Sequence, residues 1–459
     1  MPDEETIVAV ATPPGEGGIG IIRLSGNKVK TIGEKILRHS SGKSISSWPE
    51  RKVRLGKAVS PDRQVIDEVI FFFFKAPRSY TGEDVLEIQA HGGEKNLALV
   101  FDAALAAGAR PAEPGEFTKR AFLCGRLDLS QAEAVIDLIR AQTELAHRAA
   151  QEQLTGGLSR RIKRLEEKLL KTLAQMEAAL DYPEDEIDEL NRKTTRQIVK
   201  DVRKDLDRLV VQAEKGRILR EAATVVLAGR PNVGKSSILN RLLGEERAIV
   251  TPIPGTTRDF VSEIINFDGL PVRLVDTAGM RKTGDPLEKE GVRRAWQWVK
   301  QAELILVILD SATGLTEEDY ELIAGIRRNQ FLLVLNKSDL PPKLTAAGLE
   351  EQFRGSPVLT VSTVSGEGLA ELRRLIREKL VGNDFGEHPV LVTSIRHKIA
   401  LEKAGGFLKS VEEGLKDNLT EDLLTIDLRA ALEALGEITG RTVAEEIINT
   451  IFNQFCVGK

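Results

Sequence analysis

Gly229-Arg230-Pro231-Asn232-Val233-Gly234-Lys235-Ser236 has the spacing G-x-x-x-x-G-K-[ST]. In a loop of this kind the backbone N–H groups wrap phosphates, Lys235 supplies a cation and the Ser236 hydroxyl can ligate Mg²⁺. Asn232, Val233, Gly234 and Ser237 complete the expected cradle. Three further segments follow in order. Thr256-Thr257-Arg258-Asp259 lies in a glycine- and proline-rich loop, suited to a switch whose threonine, Thr257, closes on Mg²⁺. In Asp276-Thr277-Ala278-Gly279 the aspartate can hold the metal shell and the Gly279 N–H can reach a γ-phosphate. In Asn336-Lys337-Ser338-Asp339 the last carboxylate can accept both N1–H and the exocyclic amine of guanine, a donor pair that adenine lacks. Ser362-Thr363-Val364 stands where such loops usually read Ser-Ala-Lys or Ser-Ala-Arg, so only backbone contacts to the base are expected there. Together, in this order, the segments imply a GTP-hydrolysing domain with Mg²⁺ as cofactor.

Ras-like enzymes carry a water-orienting glutamine just after D-x-x-G, and here that position is Met280. A methionine can neither orient nor polarise water, so another group must. Glu288 and Glu290, in the acidic segment Asp285–Glu290, can each do so, directly or through a second water. The plainer reading of that segment is a solvated helix N-terminus stabilised by its dipole.

These loops need a scaffold. A chain of 459 residues suggests about three domains. With 41% hydrophobic and 29% charged residues, wholesale disorder is excluded. No apolar run approaches the ~20 residues of a membrane span, the acidic start is unlike a secretory signal, and two cysteines make no disulfide framework. A cytoplasmic location without stable membrane insertion is therefore expected. The net charge of −4 argues against a non-specific nucleic-acid coat.

Over residues 1–118, Ile7–Ala11 and Ile19–Leu24 read as strands, and Val69–Phe74 as a buried strand. Helical spacing follows in Leu165, Leu169, Leu173, Met176 and Leu180, then in Ile198, Val202, Leu206 and Leu209, with Pro183 breaking the run. It returns through Leu401, Leu408, Val411 and Leu415, and again from Val443 to Phe455. Between these stretches Val225–Ala228, Arg273–Val275, Leu304–Leu309 and Phe331–Leu335 read as parallel strands buried on both faces. The expected architecture is multidomain α/β plus all-α: an N-terminal α/β domain over 1–118, a helical domain from 119–221 and 383–459, and a Ras-like P-loop domain over 222–382 inserted within it.

Taken together these features resemble the MnmE (TrmE) family of tRNA-modification GTPases. The resemblance spans nearly the whole chain. It includes Thr6–Ala9 with Ala11–Gly15 and Gly17–Gly20, then Tyr80–Asp84, Arg110-Pro111, Gly115–Phe117, Ala121–Leu123, Leu127–Leu129 and Gln131–Ala134. It ends on Phe455-Cys456-Val457-Gly458-Lys459, like the family's Phe-Cys-x-Gly-Lys terminus. The resemblance implies a homodimer whose N-terminal domain binds a tetrahydrofolate one-carbon donor (5,10-methylene or 5-formyl). It also implies an FAD-binding partner of the MnmG type, forming a heterotetramer that modifies C5 of the wobble uridine (U34) of certain tRNAs. Hydrolysis would depend on K⁺, held by Asn232, Thr251, Ile253 and Thr256, with Thr251 and Thr256 also at the nucleotide. The resemblance favours Glu288 over Glu290 as the water-orienting carboxylate. It places Arg23, Glu87, Arg126 and Lys459 at folate, although Arg126 stands where some members have lysine and differs from it in its planar fork. An arginine–carboxylate pair suits folate, whose tail is anionic and whose pterin offers an amine and a ring N–H.

The family terminus puts Cys456 near the one-carbon chemistry; a C-a-a-X prenylation reading fits poorly with Gly458 and Lys459. Cys124 reads as a small packing residue, and His91 as a turn residue rather than a base. Arg160-Arg161-Ile162-Lys163-Arg164 reads as a solvated helix face with i,i+4 partners such as Glu167, rather than a tRNA-phosphate contact. A rival reading is a GTP-switched RNA-binding or ribosome-assembly factor. It needs an RNA module such as a KH domain, or a second GTPase unit, and neither is found in the sequence.

Overall fold

Alternation of apolar and polar residues makes the N-terminal part of the chain a sheet with two unlike faces. The computed structural model describes residues 5–41, 48–181, 189–245, 262–276, 296–326, 330–353, 356–382, 385 and 390–459. Two compact units are present, Met1–Ile136 with Leu432–Lys459, and Asp137–Ala431.

In the first unit seven strands, β1 (Ile7–Val10), β2 (Ile19–Ser25), β3 (Leu37–His39), β4 (Arg54–Val59), β5 (Val65–Phe74), β6 (Val85–His91) and β7 (Arg110–Pro111), form one sheet in the order β3-β4-β5-β6-β2-β1-β7. Only the β1–β7 pair is parallel. Helices Val29–Ile36 and Glu94–Ala106 cover one face and build a core with Ile22, Leu24, Phe71, Phe73, Leu86 and Ile88. The phenylalanine run is a strand, but burial follows its period of two. Phe71 and Phe73 face the helices, whereas Phe72 and Phe74 lie half-buried on the other face with ring centroids 6.5 Å apart. The strand expected to be buried is buried on a single side, because those helices cover one face of the sheet.

On that other face Ile7, Ala9, Ala112 and Phe117 pack together with Tyr80. Phe117 belongs to helix Glu116–Leu123, which is anchored by charge. Arg120, 3% exposed, donates to Glu116 (2.8 Å) and Glu83 (3.0 Å), and Arg110 donates to Glu116 at 2.7 Å. Burial alone would raise the Glu116 pKa, but hydrogen bonds from Arg110, the Glu113 N–H and Arg120 outweigh it and hold the carboxyl below its ordinary 4.5. Its contribution to stability is therefore whole above that value and fades as pH falls through the lowered pKa. Breaking a buried pair strands a charge, so Arg120→Met is expected to destabilise this unit by about 3 kcal/mol in urea unfolding at neutral pH. A loss under about 1 kcal/mol would show that water reaches Glu116.

The chain's last residues dock on the same unit. Helix Glu445–Phe452 packs Ile451 and Phe452, followed by Phe455, on Leu129, Ala132 and Ile136. Val457 then bridges antiparallel to Pro114, the Gly115 N–H donates to the Cys456 carbonyl and the Phe117 N–H to the Lys459 carbonyl. Cys124 is exposed rather than packed, although a Cβ on Gly82 would press on its own Cβ at 2.8 Å. His91 ends β6 and pairs with Asp67 at 2.7 Å.

The second unit contains a six-stranded sheet of β8 (Ala223–Ala228), β9 (Ser262–Phe267), β10 (Leu270–Asp276), β11 (Leu304–Asp310), β12 (Phe331–Asn336) and β13 (Val358–Thr360), ordered β13-β12-β11-β8-β10-β9. All pairs are parallel except β9–β10. Val225 and Leu227 join one core and Val226 and Ala228 the other, so β8 is buried on both faces as its unbroken apolar run predicts. Long helices Gly157–Asp181, Glu189–Glu221 and Ile395–Lys416 flank the inserted sheet domain in sequence. Their seams bury Leu165, Leu169 and Met176, Val202, Leu206 and Leu209, and Leu401, Leu408 and Val411. Val199 rather than Ile198 lies in the second seam, and Leu180 is exposed. Arg161 pairs with Asp205 at 2.9 Å and Arg160 with Glu152. Pro183 lies outside the described residues. No helix among the described residues is long and apolar enough to cross a membrane.

Candidate functional site

The P-loop, Asp276 and the Asn336–Asp339 loop all lie at the carboxyl ends of parallel strands, β8, β10 and β12, where such sheets open a crevice. After β8 the loop turns through Asn232 at φ 65°, a left-handed conformation asparagine tolerates, and runs into helix Lys235–Glu245. Lys235, 7% exposed, donates from Nζ to the Gly229 and Arg230 carbonyls, both at 2.8 Å. Burial lowers its pKa, with the Asp276 carboxylate acting in the opposite sense. The ammonium is thus held by two neutral carbonyl acceptors of its own loop.

Ser236 Oγ donates to Asp276 Oδ2 at 2.8 Å, and Asp276 Oδ1 is buried with no protein partner. A hydroxyl and a half-satisfied carboxylate are hard oxygen donors of the kind Mg²⁺ takes, so the pair fits that ion. Gly234 sits at φ 98°, and a Cβ there would collide with the Asn336 amide. Asn336, fully buried, donates from Nδ2 to the Val233 carbonyl at 2.9 Å, so it braces the phosphate loop against the base loop. Lys337 pairs with Asp310 at 2.7 Å. Ser362 Oγ donates to Asp339 Oδ1 at 2.6 Å while accepting from the Val364 and Ser365 N–H groups. Ser362 therefore orients the carboxylate expected to read guanine. Thr251, Ile253, Thr256, Thr257, Thr277, Ala278, Gly279, Met280, Glu288 and Glu290 lie outside the described residues.

The first unit gathers a second constellation. Arg23 and Glu87 are register partners on β2 and β6, and Arg23 Nε donates to Glu87 Oε1 at 2.8 Å. The guanidinium lies 5.4 Å from the Tyr80 ring centre and 5.7 Å from that of Phe117, and reaches the Gly458 carbonyl at 3.5 Å. Tyr80 donates to or accepts from Thr118 at 2.8 Å; burial raises its pKa, opposed by that bond and by the positive fields of Arg23 and Arg126. Arg126 thus stands within electrostatic reach of this group, and Lys459 is tied to it through its carbonyl. Sequence reasoning marked Arg23, Glu87, Arg126 and Lys459 but not the cushion of Tyr80 and Phe117, whose only signal was membership of Tyr80–Asp84 and Gly115–Phe117. A neighbouring cavity of about 590 Å³, mainly apolar, is lined by Val10, Pro13, Pro14, Leu97, Phe101 and Cys456 among others.

A G-x-x-x-x-G-K-[ST] loop, a Ser236–Asp276 pair able to hold Mg²⁺ and an Asn-Lys-Ser-Asp loop on one mostly parallel sheet, inserted in a helical domain, define a P-loop GTPase of the Ras-like kind. The comparisons narrow this further. The family described as "GTP-binding protein TrmE N-terminus" matches residues 6–126 and that described as "MnmE helical domain" matches residues 129–456. The tRNA modification GTPase MnmE of Thermoanaerobacter pseudethanolicus is 45% identical over 458 residues, 99% of each chain, and that of Geobacillus kaustophilus is 44% identical over 462 residues, 100% of each. The G domain of the T. maritima FeoB iron transporter is 30% identical over 34% of this chain and 98% of its own, with a TM-score of 0.28. The chain belongs to the MnmE family of tRNA modification GTPases and is a GTP hydrolase acting in tRNA modification.

Proposed function

We propose that this GTPase, as a cytoplasmic homodimer joined to an MnmG-type partner carrying FAD, modifies C5 of the wobble uridine of certain tRNAs with a tetrahydrofolate one-carbon donor. In this reading residues 1–118 dimerise and bind folate, 119–221 with 383–459 form the helical domain, and 222–382 hydrolyse GTP. The observation that carries the folate assignment is the held Arg23: its guanidinium is bonded to Glu87, cushioned on Tyr80 and Phe117, and touches Gly458, all residues of the first unit. A fixed guanidinium beside aromatic faces suits an anionic tail and a flat heterocycle. In the GTPase domain Lys235, Asn232–Gly234 and Ser237 would hold the phosphates, Ser236, Thr257 and Asp276 the Mg²⁺ shell, and Asp339 with Ser362 the base. Mg²⁺ there would neutralise phosphate charge. Asn232 is the one described member of the expected K⁺ shell.

Equilibrium dialysis of 5-formyltetrahydrofolate against the purified chain tests the folate reading, and a mass-spectrometric inventory of wobble uridines in a strain lacking the gene tests the reaction. Gly458 offers a sharper probe. It sits at φ 95°, and a Cβ would meet the Val10 carbonyl oxygen at 2.5 Å. Gly458→Ala should undock the tail and weaken folate binding by about tenfold, since overpacking costs ~1–3 kcal/mol. Removing Cys456–Lys459 should abolish tRNA modification. Intrinsic GTP hydrolysis should survive both changes. Full modification by the truncated chain would reject the folate role of the tail, and lost hydrolysis with nucleotide still bound would reject the separation of the two chemistries.

A further inference from the structure

The phosphate loop and the base loop leave the sheet after β8 and β12, and β11 lies between them. The segment after β11, Asp310 to Asp319, is bonded to both. Asp310 pairs with Lys337 at 2.7 Å, and Ser311 Oγ donates to the Lys337 carbonyl at 2.8 Å. At its far end Asp319, with no exposed side-chain surface, accepts from Arg230 Nε at 2.8 Å, and from the Thr316 N–H and hydroxyl at 3.0 Å each. Arg230 Nη2 adds bonds to Thr313 Oγ1 at 3.2 Å and the Gly314 carbonyl at 3.1 Å. Arg230 is an unspecified position of the phosphate-loop pattern, and its own carbonyl is one of the two that hold Lys235.

We propose that Arg230 and Asp319 are positioning residues of the GTP site: their part-buried pair clamps the start of the phosphate loop to the β11 segment and thereby sets where Lys235 meets the nucleotide. A buried ion pair adds little stability over a well-packed apolar pair, so its use here is geometric. The planar fork of arginine lets one side chain tie Asp319, Thr313 and Gly314 at once, which a lysine cannot do. The proposal rests on reading Lys235 as the phosphate-binding cation.

The test uses the full chain with a fluorescent GDP, steady-state GTP kinetics and thermal melting, on Arg230→Gln, Asp319→Asn, the double variant and Lys235→Ala. Each single change should raise the GDP Kd and the GTP KM by about tenfold. The fall in kcat should be smaller than the rise in KM. The double variant should be no worse than the weaker single, because no stranded charge remains. A pair serving stability alone would lower the melting temperature and leave the affinity of the folded protein unchanged. Wild-type GDP affinity in folded Arg230→Gln, or losses that multiply in the double variant, would overturn the proposal. If Asp319→Asn does not fold, Arg230→Gln and Arg230→Lys decide it, since Arg230 is itself partly exposed. Nucleotide binding retained by Lys235→Ala would instead overturn the reading of Lys235 on which the proposal rests.

Discussion

Replacing K⁺ by Na⁺ in matched chloride buffers should slow GTP hydrolysis by ~10³-fold or more, the lower end of what an arginine finger supplies in related enzymes. The four expected ligand positions, Asn232, Thr251, Ile253 and Thr256, contain no cationic side chain, and in the proposed reading a K⁺ held there would offset charge developing between the β- and γ-phosphates. The structure dictates how the asparagine should be tested. At φ 65° an alanine would add backbone strain to the loss of the amide, whereas Asn232→Gly keeps the conformation and removes only the ligand. Both variants should lose the K⁺ response, with nucleotide binding better preserved in the glycine variant. Equal turnover in KCl and NaCl would sink the idea, and an intact K⁺ response in Asn232→Gly would move the ion to other ligands.

The second large effect is expected at Glu288. Met280 occupies the usual glutamine position and cannot orient water, so a carboxylate acting directly or through a second water should carry ~10²–10⁴ of the rate. Glu288→Ala should lose hydrolysis and retain GTP binding, because the proposed binding residues Lys235, Ser236 and Asp339 are in other segments. Normal turnover in a variant that binds GTP tightly would shift the role, with Glu290 next to be examined. Asp339→Asn should show the reverse order of damage, losing affinity first, as it removes an acceptor that guanine needs.

Much of the GTPase scaffold was readable along the chain because its determinants are local. The unbroken apolar runs from Val225 to Ala228 and from Leu304 to Leu309 read as strands covered on both sides, and they are; G-x-x-x-x-G-K-[ST] between strand and helix carries its own geometry. Helical seams were likewise legible from spacing, with slips of one residue at Ile198 against Val199. Burial of a strand was harder. The run Phe71–Phe74 is uniformly apolar, so periodicity could not tell that helices cover only the Phe71 and Phe73 side.

By itself, then, the sequence determined the class of the inserted domain, its base preference and the family, since these depend on short patterns whose order survives without coordinates. Only the tertiary structure decided what surrounds the charges. Arg23 reads along the chain as an ordinary surface residue; register on β2 and β6 sets it against Glu87, and docking of the last residues brings the Gly458 carbonyl, 435 positions away, to its guanidinium. Arg230 meets Asp319 across 89 positions, and Asn336 reaches Val233 across 103. The physical reason is common to all three. Local pattern reports backbone conformation and which face is apolar, whereas these pairs arise from strand order and register, which depend on the chain's folded path as a whole.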